Sequence, residues 1–202
     1  MILTKPYILE GHALSKDSNI QLCEKIHKYD YVYLDMSQLL SVEQNEEFHK
    51  FQTSLDSNLI YTEDNDYGIE RNHHVTCFYG LLNAPNNFEK IKYLYDISKP
   101  FLGSNLRINN ISFFRNDDAP YDVMKFELSS NVLSFLNKTI YDLFENECTF
   151  PEYQAHMTVA YVKKGAFSEY EGKNNFTFCN TTLPITEIVY QDVYDNKKVL
   201  HL

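Results

Sequence analysis

Two short stretches, RNHHVTCFYG (71–80) and QAHMTVAYVKKG (154–165), constrain this chain more than any other part of it. Each sets a histidine two residues before a threonine inside an apolar run, and each carries a tyrosine three residues after that threonine. On an extended strand, residues i and i+2 share a face and i+1 takes the other. Alternation predicts His74, Thr76 and Phe78 on one side, against Val75, Cys77 and Tyr79. The second copy repeats this, with His156, Thr158 and Ala160 against Met157, Val159 and Tyr161. One face of each strand suits a core, and the other presents an imidazole beside a hydroxyl. Tyr79 and Tyr161 are thereby expected in the core. His73 falls on the Val75 face and is expected to be structural.

The remaining pattern supplies partners for two such strands. Segments 31–36, 73–79, 106–114, 122–128, 155–162 and 186–192 are rich in β-branched and aromatic residues. The last can fold back through VYDN onto KKVLHL as a terminal hairpin. Ser41 and Gln44 have capping-box spacing, followed by Phe48, Phe51 and Leu55 at helical intervals. Phe88, Ile91, Leu94 and Tyr95 recur in the same way after Pro85. Residues 131–146 form the strongest helical pattern, with Ser130 as cap and Val132, Phe135, Leu136, Ile140, Leu143 and Phe144 as the apolar face. A weaker helical pattern covers 18–28. Strands and helices mix without strict alternation, so the expectation is an α+β fold with antiparallel sheets. No Pro/Gly/Ser linker divides the chain, and residues 1–202 are expected to make one domain.

The charge narrows the partners. With 18 Lys+Arg against 28 Asp+Glu, the formal net charge is −10. A long phosphate backbone is held by many basic contacts and counterion release, so the charge argues against a duplex or long single strand as the natural ligand. A small nucleotide held by a few local groups is not. The N-terminus lacks a signal-peptide pattern, and no apolar run reaches the ~18–20 residues of a membrane span, so no membrane association is expected. The four cysteines have no C-x-x-C spacing and read as free thiols of a cytoplasmic protein. Neither His-x-Thr has a second ligand at i+3 or i+4, so no metal or other cofactor is expected.

If the two strands lie side by side, two histidines face one phosphate and divide the proton transfers between them. One removes a proton from the attacking hydroxyl or water, and the other protonates the leaving oxygen. Imidazole suits both roles because its ordinary pKa of ~6.5 lies near neutrality. The threonine hydroxyls can donate to the non-bridging oxygens.

Two H-x-[ST] motifs on paired strands resemble the 2H phosphoesterase superfamily with its LigT-like fold. DYGIERNHHVTCFYGL and YDVMKFELSSNVLSFLN…TFPEYQAHMTVAYVKKG look like its phage-type branch, with similarity over roughly residues 30–166. That branch includes anti-CBASS nucleases that cleave cyclic oligonucleotide signals, and proteins labelled RNA 2′,3′-cyclic phosphodiesterases. The resemblance implies a bilobal fold with two antiparallel sheets flanking a cleft, one H-x-T strand from each pseudo-symmetric lobe, and metal-independent chemistry. It implies that His74, Thr76, His156 and Thr158 are the catalytic tetrad, and that a phage-encoded chain would act in the host cytosol. The chain departs from the branch at Ala155, where proline is common. Lys163 and Glu187 are further substrate-binding candidates, and Tyr31, Tyr33, Phe114 and Tyr121 are candidate stacking platforms for bases. The leading expectation is a phosphodiesterase for small cyclic oligonucleotides. Trimming of 2′,3′-cyclic or 2′–5′ RNA ends and a non-catalytic nucleotide sponge remain open. The oligomeric state is not encoded in any pattern found.

Overall fold

The structure is a computed structural model that describes residues 28–63, 67–82, 87–148 and 152–201. Its strands are β1 Asp30–Asp35, β2 His74–Leu81, β3 Asn105–Phe114, β4 Tyr121–Ser129, β5 His156–Lys163, β6 Thr182–Pro184, β7 Glu187–Gln191 and β8 Lys197–His201. The helices are α1 Met36–Leu39, α2 Val42–Ser54, α3 Asn87–Ser98 and α4 Asn131–Leu143. Every strand foreseen in the sequence forms, within a residue or two of its expected ends. β6 was not foreseen, because three residues are too short to show a period. The 18–28 pattern lies outside the described residues, apart from Lys28.

The fold is α+β with antiparallel pairing, as expected. The two anticipated sheets are continuous, in the order β6-β3-β4-β5-β2-β1-β7-β8. The central junction is narrow. β2 and β5 meet in register only at Val75 opposite Met157, both near the starts of their strands. Running antiparallel from that point, the two strands diverge. Backbone of Tyr61 and Glu70 bonds the remainder of β5, Tyr61 N donating to Tyr161 O at 3.0 Å and Glu70 N to Val159 O at 3.0 Å. Backbone from 145–147 does the same for β2, through Glu147 N to Gly80 O at 2.9 Å. Gly80 has φ +109°, and a Cβ there would meet Cys148 N at 3.0 Å, so glycine is what admits this close approach.

One face of the sheet carries the core. α2 begins with the expected capping box, Gln44 N donating to Ser41 Oγ and Ser41 N to Gln44 Oε1. It packs Phe48 and Phe51 against Phe126 of β4, with Phe176 and Phe178 completing the cluster. α4 lays Leu133, Leu136 and Ile140 behind β2. Its apolar face is narrower than the sequence pattern indicated, since Phe135 and Leu143 are exposed. Ser130 does not cap α4 with its side chain, but donates to Asn105 O at 3.3 Å. In α3, Leu94 is buried and Phe88 is exposed. Among the described residues Cys77, Cys148 and Cys179 are free, and no helix is long and apolar enough to cross a membrane.

Candidate active site

The β2–β5 junction places the duplicated motifs together. With Val75 opposite Met157, antiparallel geometry sets His74 beside Thr158 and Thr76 beside His156 on the sheet face away from the core. The alternate residues Val75, Cys77, Met157 and Val159 are fully buried on the other face.

Each imidazole is held in the same way. His74 Nδ1 lies 2.6 Å from Asn72 O, and His156 Nδ1 lies 2.7 Å from Gln154 O. A carbonyl can only accept, so Nδ1 carries a proton in both rings and Nε2 is the nitrogen left to give or take one. An aromatic ring supports each one edge-on, Tyr33 against His74 at 5.6 Å and Phe114 against His156 at 4.8 Å. Burial pushes the His156 imidazole down to about 4, with the Lys125 and His74 charges acting in the same direction and the Gln154 carbonyl opposing them. His156 as a whole is half-buried.

Strict alternation fails just beyond each threonine. Tyr33 pairs with Thr76 and Val32 with Phe78, so Cys77 is an extra residue in β2. Lys125 pairs with Thr158 and Met124 with Ala160, so Val159 is an extra residue in β5. These are β-bulges at matching positions, and each reverses the side-chain parity that follows. Phe78 and Ala160, expected beside the threonines, go to the core, where they are 1% and 0% exposed. Tyr79 and Tyr161, expected in the core, turn to the site face and are half-buried.

A helix stabilises each bulge. Asn137 Nδ2 of α4 donates to Cys77 O at 2.8 Å, and Gln52 Nε2 of α2 donates to Val159 O at 3.1 Å. No sequence pattern had singled out either amide. His73 packs against Phe48 of the core at 4.7 Å, where burial lowers its basicity; its expected structural position holds.

The other candidates are distributed unevenly. Tyr31 stacks on Tyr33 at 5.3 Å and approaches Tyr79 at 6.2 Å, making a run of rings that leads away from His74. Tyr121 joins Tyr61, Tyr67 and Tyr161 in a cluster with centroids 4.8–5.4 Å apart. Tyr121 pairs with Lys163. Lys163 ends β5, about 16 Å along the strand from Thr158 at ~3.3 Å per residue, and Tyr121 begins β4 beside it. Glu187 sits on β7 with Oε2 3.4 Å from His201 Nδ1, two strands beyond β2. The structure therefore unites His74, Thr76, His156, Thr158, Tyr33 and Phe114, and leaves Lys163, Tyr121 and Glu187 outside this group.

Lys125 and Glu127 were not singled out from the sequence. They lie opposite Thr158 and His156 on the site face of β4. The available signal was their alternation with Met124 and Phe126. Among the described residues, no group of three or more His, Cys, Asp or Glu converges to hold a metal ion.

No family model and no curated protein matches this chain by sequence. Solved structures do match its fold. TT0787 of Thermus thermophilus aligns over 86% of this chain and 95% of its own, with a TM-score of 0.54 and 12% identity. Usb1 of Kluyveromyces marxianus aligns over 86% and 98%, with a TM-score of 0.54 and 10% identity. The same Usb1 with uridine monophosphate gives 0.55 at 11% identity, again over 86% and 98%.

Proposed function

We propose that this chain is a two-histidine phosphodiesterase of the 2H type that acts on small cyclic oligonucleotides, without metal or other cofactor. One observation carries the reading. Two imidazoles from different strands share one face, each with its Nδ1 proton fixed on a carbonyl and Nε2 left for proton transfer. A phosphodiester needs a proton removed on one side of phosphorus and delivered on the other. The duplicated unit supplies both, with a threonine hydroxyl beside each ring for the non-bridging oxygens. The fold shared with a Usb1 that has been solved with uridine monophosphate supports a nucleotide in this cleft.

On a 3′,5′-linked ring, the 2′-hydroxyl attacks phosphorus and passes its proton to one Nε2. The P–O2′ bond forms, the P–O5′ bond breaks, and the other histidine protonates O5′. The product is a 2′,3′-cyclic phosphate. Water can open that ring with the same pair. The net charge of −10 favours a compact substrate over long RNA, and the phage-type resemblance favours an immune signal cleaved in the host cytosol.

The test is incubation of the purified protein in EDTA with cyclic dinucleotides, cyclic trinucleotides and an RNA ending in a 2′,3′-cyclic phosphate, followed by chromatography. Cleavage of cyclic oligonucleotides is expected. His74→Ala and His156→Ala should each lose about 10²–10⁴-fold in rate while remaining folded. Opening of the RNA end alone would move the protein to RNA-end processing. Binding without product would make it a sponge.

A further inference from the structure

Lys125 is 3% exposed in the middle of β4, although lysine is seldom enclosed without a partner. Its ladder partner is Thr158, and the next residue on the same face, Glu127, is opposite His156. Lys125 Nζ donates to Ser112 Oγ of β3 at 2.7 Å and lies 3.6 Å from Glu127 Oε1. It also sits 4.2 Å from the centroid of Phe114, the ring that His156 meets edge-on at 4.8 Å. One phenyl ring is therefore in contact with both a buried ammonium and a site imidazole.

We propose, on the phosphodiesterase reading above, that Lys125 is a positioning residue for His156. Its enclosed ammonium opposes a proton on that imidazole, which makes His156 the base and leaves His74 as the acid. The charged and titratable groups facing His156 are Lys125 and Glu127 from β4 and His74 from β2. β3 contributes only the uncharged Phe114 and Ser112. Glu127 acts in the opposite sense, but its side chain is 47% exposed, whereas that of Lys125 is 4% exposed. Water and salt therefore screen the carboxylate more than the ammonium.

The other half of the site differs at the matching position. Tyr33 stands opposite Thr76 where Lys125 stands opposite Thr158. Lys197 lies 5.8 Å from the centroid of that ring, on an exposed strand position. The two halves hold their imidazoles alike and differ in local charge. Such unequal surroundings are what separate an acid from a base in a pair of identical groups.

The experiment is a pH titration of ¹³C-labelled histidines by NMR, with the pH profile of kcat/KM measured alongside. In the unmodified protein, His156 should titrate well below the ordinary histidine range. Lys125→Met keeps the stem and removes the charge, and should move the His156 titration up by about one pH unit. The acidic limb of kcat/KM should move with it. Lys125→Arg should restore the limb. Ser112→Ala removes a hydrogen bond and keeps the cation, and should leave the limb in place.

An ordinary His156 titration in the unmodified protein overturns the proposal without any variant. So does an unmoved titration in folded Lys125→Met, with Lys125→Gln replacing it should the methionine variant not fold. An equal displacement in Ser112→Ala would also overturn it, by reducing Lys125 to a packing residue. The NMR titration needs no substrate. Absence of turnover would thus remove the phosphodiesterase reading while still reporting on Lys125.

Discussion

At the scale of the residue, the threonines and His156 give predictions of opposite kinds. Thr76→Val and Thr158→Val keep the branched shape and remove a donor. Each is expected to lower kcat about 10²-fold while KM stays within a few-fold, as initial rates would show. A KM effect alone would make the hydroxyls binding groups. His156 also links stability to pH. Its basicity in the fold is depressed to about 4 from an ordinary 6.5, so unfolding takes up a proton between those values. The contribution is complete above about pH 6.5 and is lost as pH falls towards 4. That amounts to up to about 2 kcal/mol between pH 7 and pH 5, less any screening at the open part of the ring. The urea midpoint should therefore fall on acidification. His156→Gln should weaken that dependence, and His73, also lowered by burial, should preserve part of it. A midpoint unchanged between pH 7 and pH 5 would contradict both assignments.

At the scale of the element, the bulges at Cys77 and Val159 turn two ordinary strands into parts of a site. Asn137 donates to the Cys77 carbonyl from the helix behind, and Gln52 donates to the Val159 carbonyl, which also accepts from Glu70 N. Asn137→Leu should cost about 1–3 kcal/mol in urea unfolding, the cost of leaving a buried acceptor unmatched. A change below about 0.5 kcal/mol would show that water replaces the amide.

The histidines and threonines were legible because their side chains precede the bulges, where period-two alternation still holds. Tyr79 and Tyr161 were misread because an extra residue leaves no mark except two consecutive core side chains, Cys77–Phe78 and Val159–Ala160. α4 was located correctly but its face was drawn too wide. Helical spacing identifies which residues share a side, whereas the extent of the sheet beneath decides how many are covered. Lys125 stayed hidden because a lysine in an alternating strand reads as solvent-exposed until β3 and β5 are placed around it.

At the scale of the molecule, the net charge of −10 has a measurable sign. For a compact anionic substrate, added salt screens repulsion, so KM should stay level or fall between 50 and 300 mM salt, about the range over which long nucleic acid binders lose orders of magnitude in affinity. A steep rise in KM would reveal a basic docking surface and favour RNA ends. The order of the sheet was beyond reach from sequence, because the pairing of β1 with β7 and of β3 with β6 joins segments far apart in the chain. Local patterns name strands and do not choose their neighbours.

The meeting of β2 and β5 at one register pair has a last consequence. Each half carries its own reactive module: an imidazole, its anchoring carbonyl, a supporting ring, a bulge and a helix amide. Nothing that sets the tautomer of one histidine is borrowed from the other strand. The gap between the modules can therefore change along the seam while each imidazole keeps its own carbonyl anchor and supporting ring. Such a layout is modular in a literal sense, and selection for ligands of different girth can act on the spacing while the chemistry is inherited intact.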